Sequence, residues 1–108
     1  MRNWTMTAAL LCSILVACGE SEPWHERDNS VKAYVVMQGY VERRLRSPST
    51  ADFPLINKVR VERLEEHHYR ITGYVDAQNG FGATVRHEYR GMVQQGGDDL
   101  WRLVKLDL

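Results

Sequence analysis

Two hydrophobic periods divide the chain, and each predicts a different kind of element. Between residues 31 and 45, apolar side chains recur at helical spacing, which predicts an amphipathic helix from about residue 28 to residue 46. The predicted core stripe of this helix consists of Val31, Tyr34, Val35, Val41 and Leu45. Val36 and Tyr40 are expected on its opposite, outward face.

Residues typical of helix boundaries flank this segment. Asp28, Asn29 and Ser30 are all suitable N-caps, and Pro48 cannot continue a helix. The cations expected in the last turn, where they complement the helix dipole, are Arg43, Arg44 and Arg46. A single new turn, capped by Ser47, is expected to start at Pro48.

After residue 56 the period changes to two, which predicts strands. The first strand carries Val59 and Val61. The second is expected to place Tyr69, Ile71, Gly73, Val75 and Ala77 on one face, and the third Val85, His87, Tyr89, Gly91 and Val93. A fourth strand is predicted over residues 100–108.

The turns between these strands have characteristic residues. Asn79-Gly80 favours a tight hairpin because both residues tolerate positive φ, and Gly96-Gly97-Asp98-Asp99 marks the next turn. The fold class predicted is therefore α+β, with one N-terminal amphipathic helix packed on a four-stranded antiparallel β-meander. We expect the helix to approach the sheet closely at Gly73 and Gly91.

The first 18 residues have the pattern of an export signal. Arg2 precedes an apolar run that is too short to span a bilayer, and the run closes with Leu15-Val16-Ala17-Cys18. These four residues resemble a bacterial lipobox, which implies removal of residues 1–17 and acylation of Cys18. Residues 18–27 are then a lipidated tether, and residues 28–108 form one domain.

Composition argues against nucleic-acid binding and against a disulfide in the domain. The chain holds 14 Lys and Arg against 14 Asp and Glu, and a removed signal takes only Arg2 from this balance. A net charge this close to zero does not favour nucleic-acid binding, which typically needs a basic surface. The two cysteines are Cys12, inside the signal, and Cys18, so no disulfide is expected in the domain.

Two segments carry a family resemblance. Residues 47–54, Ser-Pro-Ser-Thr-Ala-Asp-Phe-Pro, and residues 73–83, Gly-Tyr-Val-Asp-Ala-Gln-Asn-Gly-Phe-Gly-Ala, resemble segments of small bacterial lipoproteins and secreted proteins without a defined activity. The resemblance implies an envelope location and a fold of this kind, and it transfers no catalytic residue. Members often carry a Cys at the position of Thr72, so no thiol role is carried over.

The hairpin is one candidate binding surface, and two interpretations of it stay open. In the first, Phe81 folds back against the edge of the core. In the second, Phe81 is presented at a rigid tip and docks into a partner, with a polar rim around it. The candidate partner-binding residues are Phe81, Asp76, Gln78 and Asn79.

A second candidate surface is the polar face of the sheet. Arg70, Arg86 and Arg90 are expected to share this face, either in cross-strand ion pairs or as a patch for an anionic envelope lipid. The arginines that end the helix are positioned to extend such a patch. His67 and His68 are adjacent on a predicted strand and point to opposite faces, so no metal site is predicted.

The sequence thus favours a non-enzymatic lipoprotein of the cell envelope, a small binding or scaffold module without a cofactor. Gly19 rather than Asp after Cys18 favours an outer-membrane position facing the periplasm. The expected partners are the membrane, through the lipid, and an envelope protein or anionic lipid. The alternatives are a superinfection-exclusion or immunity lipoprotein of a phage or plasmid, and a periplasmic inhibitor acting through Phe81.

Overall fold

The computed structural model describes residues 23–108. Predictions for the signal sequence and for Cys18 lie outside these residues. In the described part, one α-helix, α1 (Ser30–Glu42), precedes four strands. The strands are β1 (Arg60–Arg63), β2 (His68–Gln78), β3 (Thr84–Gln95) and β4 (Trp101–Asp107). Single 3₁₀ turns occupy Pro48–Thr50 and Ile56–Lys58, and Glu65–His67 is a tight turn in which Glu66 and His67 have positive φ.

The strands form one antiparallel sheet in the order β1-β2-β3-β4, which confirms the α+β class and the meander. The predicted alternation along β2 and β3 is also confirmed, because Tyr69 pairs with Val93, Ile71 with Gly91 and Val75 with His87. A register shift on β4 leaves Val104 without a partner on β3, since Met92 pairs with Lys105 and Val93 with Leu103. This β-bulge reverses the alternation within β4.

The predicted core stripe is confirmed at Tyr34, Val41 and Leu45 and is wrong at Val31 and Val35. The buried residues of the helix are Ala33, Tyr34, Met37 and Val41. Val31 and Val35, assigned to the core stripe, are 63% and 59% exposed, whereas Val36 and Tyr40 pack against the core. The physical reason is that apolar residues surround most of this helix, so its sequence does not define a single face.

The helix also ends earlier than predicted, at Glu42. The amides of Arg44 and Leu45 bond to the carbonyls of Val41 and Glu42, three residues back, so the chain tightens into a turn that buries Leu45. The cluster of arginines expected in the last helical turn therefore lies beyond the helix. The predicted turn at Pro48 is present, but the Ser47 side chain makes no capping hydrogen bond.

Helix and sheet meet most closely at Gly91. A Cβ built there would lie 2.5 Å from Met37 Cε and 3.1 Å from the Lys105 carbonyl oxygen, so a larger residue would displace Met37 and crowd the backbone of β4. Gly73 does not have the predicted role, because the nearest atoms to its position belong to Val59 and Tyr89 rather than to the helix.

Residues 23–29 pack against the end of the sheet where β2 begins. The buried Asn29 side chain donates to the carbonyls of Trp24 and Arg27 and to Gln95 Oε1 at 3.0 Å, while its amide donates to the Tyr69 hydroxyl at 3.1 Å. The Trp24 ring lies 4.9 Å from that of His67. This segment is therefore held in place by a buried polar network.

Candidate functional site

The hairpin predicted at Asn79-Gly80 is present between β2 and β3, and its loop has five residues, Asn79–Ala83. The Asn79 amide donates to the Ala83 carbonyl at 2.8 Å, and the only positive φ in the loop belongs to Gly82, at 81°. Asn79 instead stabilises the loop with its side chain, whose Oδ1 accepts hydrogen bonds from the amides of Phe81 and Ala83 at 2.9 and 3.1 Å. The loop backbone is thereby fixed from within.

Phe81 stands at the tip of this loop and is 97% exposed. The first interpretation, in which its ring covers the core edge, is wrong because the ring contacts almost nothing in the domain. The second, an aromatic side chain presented outward on a braced loop, agrees with the geometry. A fully solvated ring costs free energy that burial against a partner would recover.

The base of the hairpin is braced by the segment that follows the helix. The Gln78 amide donates to Thr50 Oγ1 at 2.9 Å, and Thr50 Oγ1 donates to the Ser47 carbonyl. Asp52 and Asp76 exchange two backbone hydrogen bonds. Residues 47–54 and 73–83 thus contact each other, and the first segment supports the second.

Only part of the predicted polar rim is available to a partner. The carboxylate of Asp76 is bound by Arg86, and the Asn79 carboxamide is used inside the loop. Gln78 is exposed, and Arg46 lies beside the loop, with its Cδ 3.4 Å from where a Cβ on Gly80 would be. Sequence reasoning placed Arg46 on the helix and so missed its place at the tip.

The polar sheet face does bring the three predicted arginines onto one surface, but they differ in their partners. Arg86 Nε and Nη2 donate to the two oxygens of Asp76 at 2.9 and 3.0 Å, and its guanidinium lies 4.0 Å over the Tyr74 ring. These hydrogen bonds lower the pKa of the Asp76 carboxyl below its usual range. Arg86 is therefore a paired residue and not a free anion ligand.

Arg70 and Arg90 are less engaged. Arg70 Nη1 lies 3.6 Å from Glu62 Oε2, beyond hydrogen-bond distance, and within residues 23–108 Arg90 forms no ion pair. Lys105 reaches the same face and lines a cavity with both arginines. The sequence pattern did not indicate Lys105, because the bulge at Val104 shifts the alternation of β4.

Comparison with known proteins gives no further information: the chain matches no protein-family model, no curated protein and no solved structure. Over residues 23–108 the structure contains no helix with the length and apolar character needed to cross a membrane. The same part of the chain holds no group of three His, Cys, Asp or Glu side chains arranged to bind a metal ion.

Proposed function

We propose that this chain is a non-enzymatic lipoprotein of the bacterial cell envelope that binds a partner through Phe81. The proposed anchor is an acylated Cys18, supported by the lipobox-like sequence Leu15-Val16-Ala17-Cys18 behind a short apolar run. Several acyl chains on one residue hold a protein on a membrane almost permanently. Gly19 supports an outer-membrane position facing the periplasm.

The observation that carries the binding role is the exposure of Phe81 on a loop that the Asn79 side chain fixes. Rigid aromatic side chains lose little conformational entropy on binding, which makes them effective anchors in interfaces. The bracing by Thr50 and Asp52 lowers this cost further, because the whole base of the hairpin is preorganised. The surface so formed fits a partner with an apolar pocket of the size of a phenyl ring.

Anchoring is tested with Cys18→Ala. We expect the native chain to incorporate labelled palmitate and to be processed, and the variant to accumulate as an unlabelled precursor. Palmitate incorporation that persists in the variant would show that Cys18 is not the acylated residue.

Binding is tested by crosslinking the full-length protein in intact envelopes and identifying the captured proteins. We expect one envelope protein to be recovered with the native chain and at least tenfold less with Phe81→Ala. Leu55→Ala is the matched control, because Leu55 is another exposed apolar residue, at 72%, and lies outside the hairpin. Equal recovery of the partner with the native chain and both variants would show that the hairpin is not part of the interface.

The same experiment addresses the alternative of a periplasmic inhibitor. A captured hydrolase whose activity falls in the presence of the native chain, but not of Phe81→Ala, identifies an inhibitor acting through this loop. Both variants should keep the thermal midpoint of the native chain, since each side chain removed is mostly solvated.

A further inference from the structure

The exposed face of the sheet contains a cavity of about 250 Å³ lined by three cationic side chains. Arg70 lies on β2, Arg90 on β3 and Lys105 on β4, and the side chain of Met92 lies between them. Arg70 and Lys105 are both cross-strand partners of Met92, and Arg90 is two residues from Met92 on the same face. Arg90 is therefore a diagonal neighbour of both other cations, at a separation of about 7–8 Å that long side chains can span.

Asp107 lines this cavity together with the three cations and is the cross-strand partner of Arg90, but within the described residues the acidic groups around the cavity form no hydrogen bond with the cations. Glu62 and Asp107 each approach one of them, at 3.6 Å from Arg70 Nη1 and Lys105 Nζ respectively, which is too long for a hydrogen bond. Arg90 forms no ion pair within the described residues. By contrast, Arg86 on the same face uses two of its five N–H donors in hydrogen bonds to both oxygens of Asp76. The guanidinium groups of Arg70 and Arg90 therefore keep donors available for a ligand, whereas that of Arg86 is paired with Asp76.

We propose that Arg70, Arg90 and Lys105 form a binding site for a phosphate group. Planar guanidinium groups present pairs of N–H donors that match phosphate oxygens, and a lysine ammonium adds a point charge. Thr72, the cross-strand partner of Arg90, is exposed beside the cavity and offers a hydroxyl donor. The site is separate from the Phe81 hairpin and does not depend on the function proposed for it.

The four methionines of the chain provide a direct test. The full-length protein is labelled with ¹³C at the methionine methyl groups, kept in a nonionic detergent, and titrated with inorganic phosphate. Met92 lines the cavity, whereas the Met37 methyl lies on the opposite side of the sheet, beneath Gly91. We expect a saturable shift of the Met92 signal, an unmoved Met37 signal, and no such response to chloride at equal ionic strength.

Two matched variants, Arg90→Gln and Arg86→Gln, each remove one positive charge from the exposed face of the sheet. Arg90→Gln should weaken phosphate binding by about tenfold, the factor expected for one lost charge-assisted hydrogen bond. Arg86→Gln should weaken it by less than about twofold, because Arg86 is paired with Asp76 and does not line the cavity. An unchanged Met37 signal verifies the fold of each variant. Equal weakening in both variants, or a Met92 shift that never saturates, would overturn the site.

A second titration separates two sources of the phosphate group. Monomeric dihexanoylphosphatidylglycerol presents the phosphodiester of a lipid headgroup, and inorganic phosphate presents the free ion. Tighter, Arg90-dependent binding of the lipid assigns the site to an anionic headgroup, and tighter binding of inorganic phosphate assigns it to a soluble ligand. Either result supports the site, and absence of binding by both probes rejects it.

Discussion

Two buried tyrosines on neighbouring strands differ in a single hydrogen bond. The Tyr69 hydroxyl accepts from the Asn29 amide at 3.1 Å, while the Tyr89 hydroxyl is buried without a partner in the described part of the chain. A buried hydroxyl that gains no hydrogen bond has lost its hydration without compensation. The two residues should therefore respond in opposite directions to loss of the oxygen.

We expect Tyr69→Phe to lower the free energy of unfolding by about 1–2 kcal/mol, because it also leaves the Asn29 amide unpaired. Tyr89→Phe should leave it unchanged or raise it by up to about 1 kcal/mol. Urea unfolding of the full chain measures both values. A larger loss for Tyr89→Phe than for Tyr69→Phe would contradict this assignment of the hydrogen bonds.

Burial of Tyr89 also affects stability at alkaline pH. Burial raises the pKa of Tyr89 above that of an exposed tyrosine. The folded state therefore resists deprotonation, so the stabilisation is complete below the unfolded pKa of about 10 and is lost as the pH rises above it. Tyr89→Phe should make the fall in stability above that pH less steep. Tyr34, whose pKa burial also raises, should account for part of the remaining slope.

At the residue scale, the sequence predicted which residues are suited to binding better than it predicted the contacts that they make. Phe81, Arg70 and Arg90 were selected because their types are suited to binding, and the structure leaves all three side chains accessible to some degree. The pairing of Arg86 with Asp76 was one of two open alternatives, and a choice between them requires the actual distances. The Asn29 network was not predicted, because an Asn before a helix usually acts as its N-cap.

Among the secondary-structure elements, the strands were far more predictable than the helix. Period-two alternation assigns each side chain of β2 and β3 to one of two faces, and a single buried face then fixes the register. In α1, by contrast, Val31, Val35 and Val36 are chemically equivalent candidates for burial. The choice among them depends on where Gly91 lets Met37 approach the sheet, which is tertiary information.

Alanine substitutions at two glycines test this close approach of helix and sheet. Gly91→Ala should lower the free energy of unfolding by about 1–3 kcal/mol, since its methyl group would collide with Met37 and approach the rigid Lys105 carbonyl. Gly39→Ala, in the helix with no atom near the added methyl group, should raise it by up to about 1 kcal/mol through helix propensity. Thermal or urea unfolding distinguishes the two. Similar losses at both positions would mean that Gly91 does not limit the packing of helix on sheet.

For the whole molecule, the first described residues, 23–29, and the hairpin lie toward opposite ends of the sheet. Residues 23–29 pack where β2 begins, near His67, and Phe81 follows the end of β2 at Gln78. An 11-residue strand separates these ends by about 33 Å. The five residue steps from Cys18 to Pro23 span at most about 18 Å. A domain held through the proposed acylation of Cys18 would therefore present Phe81 away from the membrane.

This orientation is measurable by energy transfer to a dye in the membrane. Fluorophores on Glu26→Cys and Thr84→Cys, both exposed positions, are compared in the lipidated protein on vesicles. We expect strong transfer from position 26 and much weaker transfer from position 84. Equal transfer would show that the domain lies flat on the lipid, with its hairpin at the surface.

The irregular outer strand has a consequence for a protein confined to a surface. β4 is an edge of the sheet, but its bulge at Val104 interrupts the run of backbone groups, and Arg44 Nη1 donates to the Leu106 carbonyl at 2.7 Å. Such features oppose pairing between the sheets of neighbouring molecules. Confinement to two dimensions raises the effective concentration of those neighbours steeply. A crowded layer of these domains would therefore resist growth into fibres.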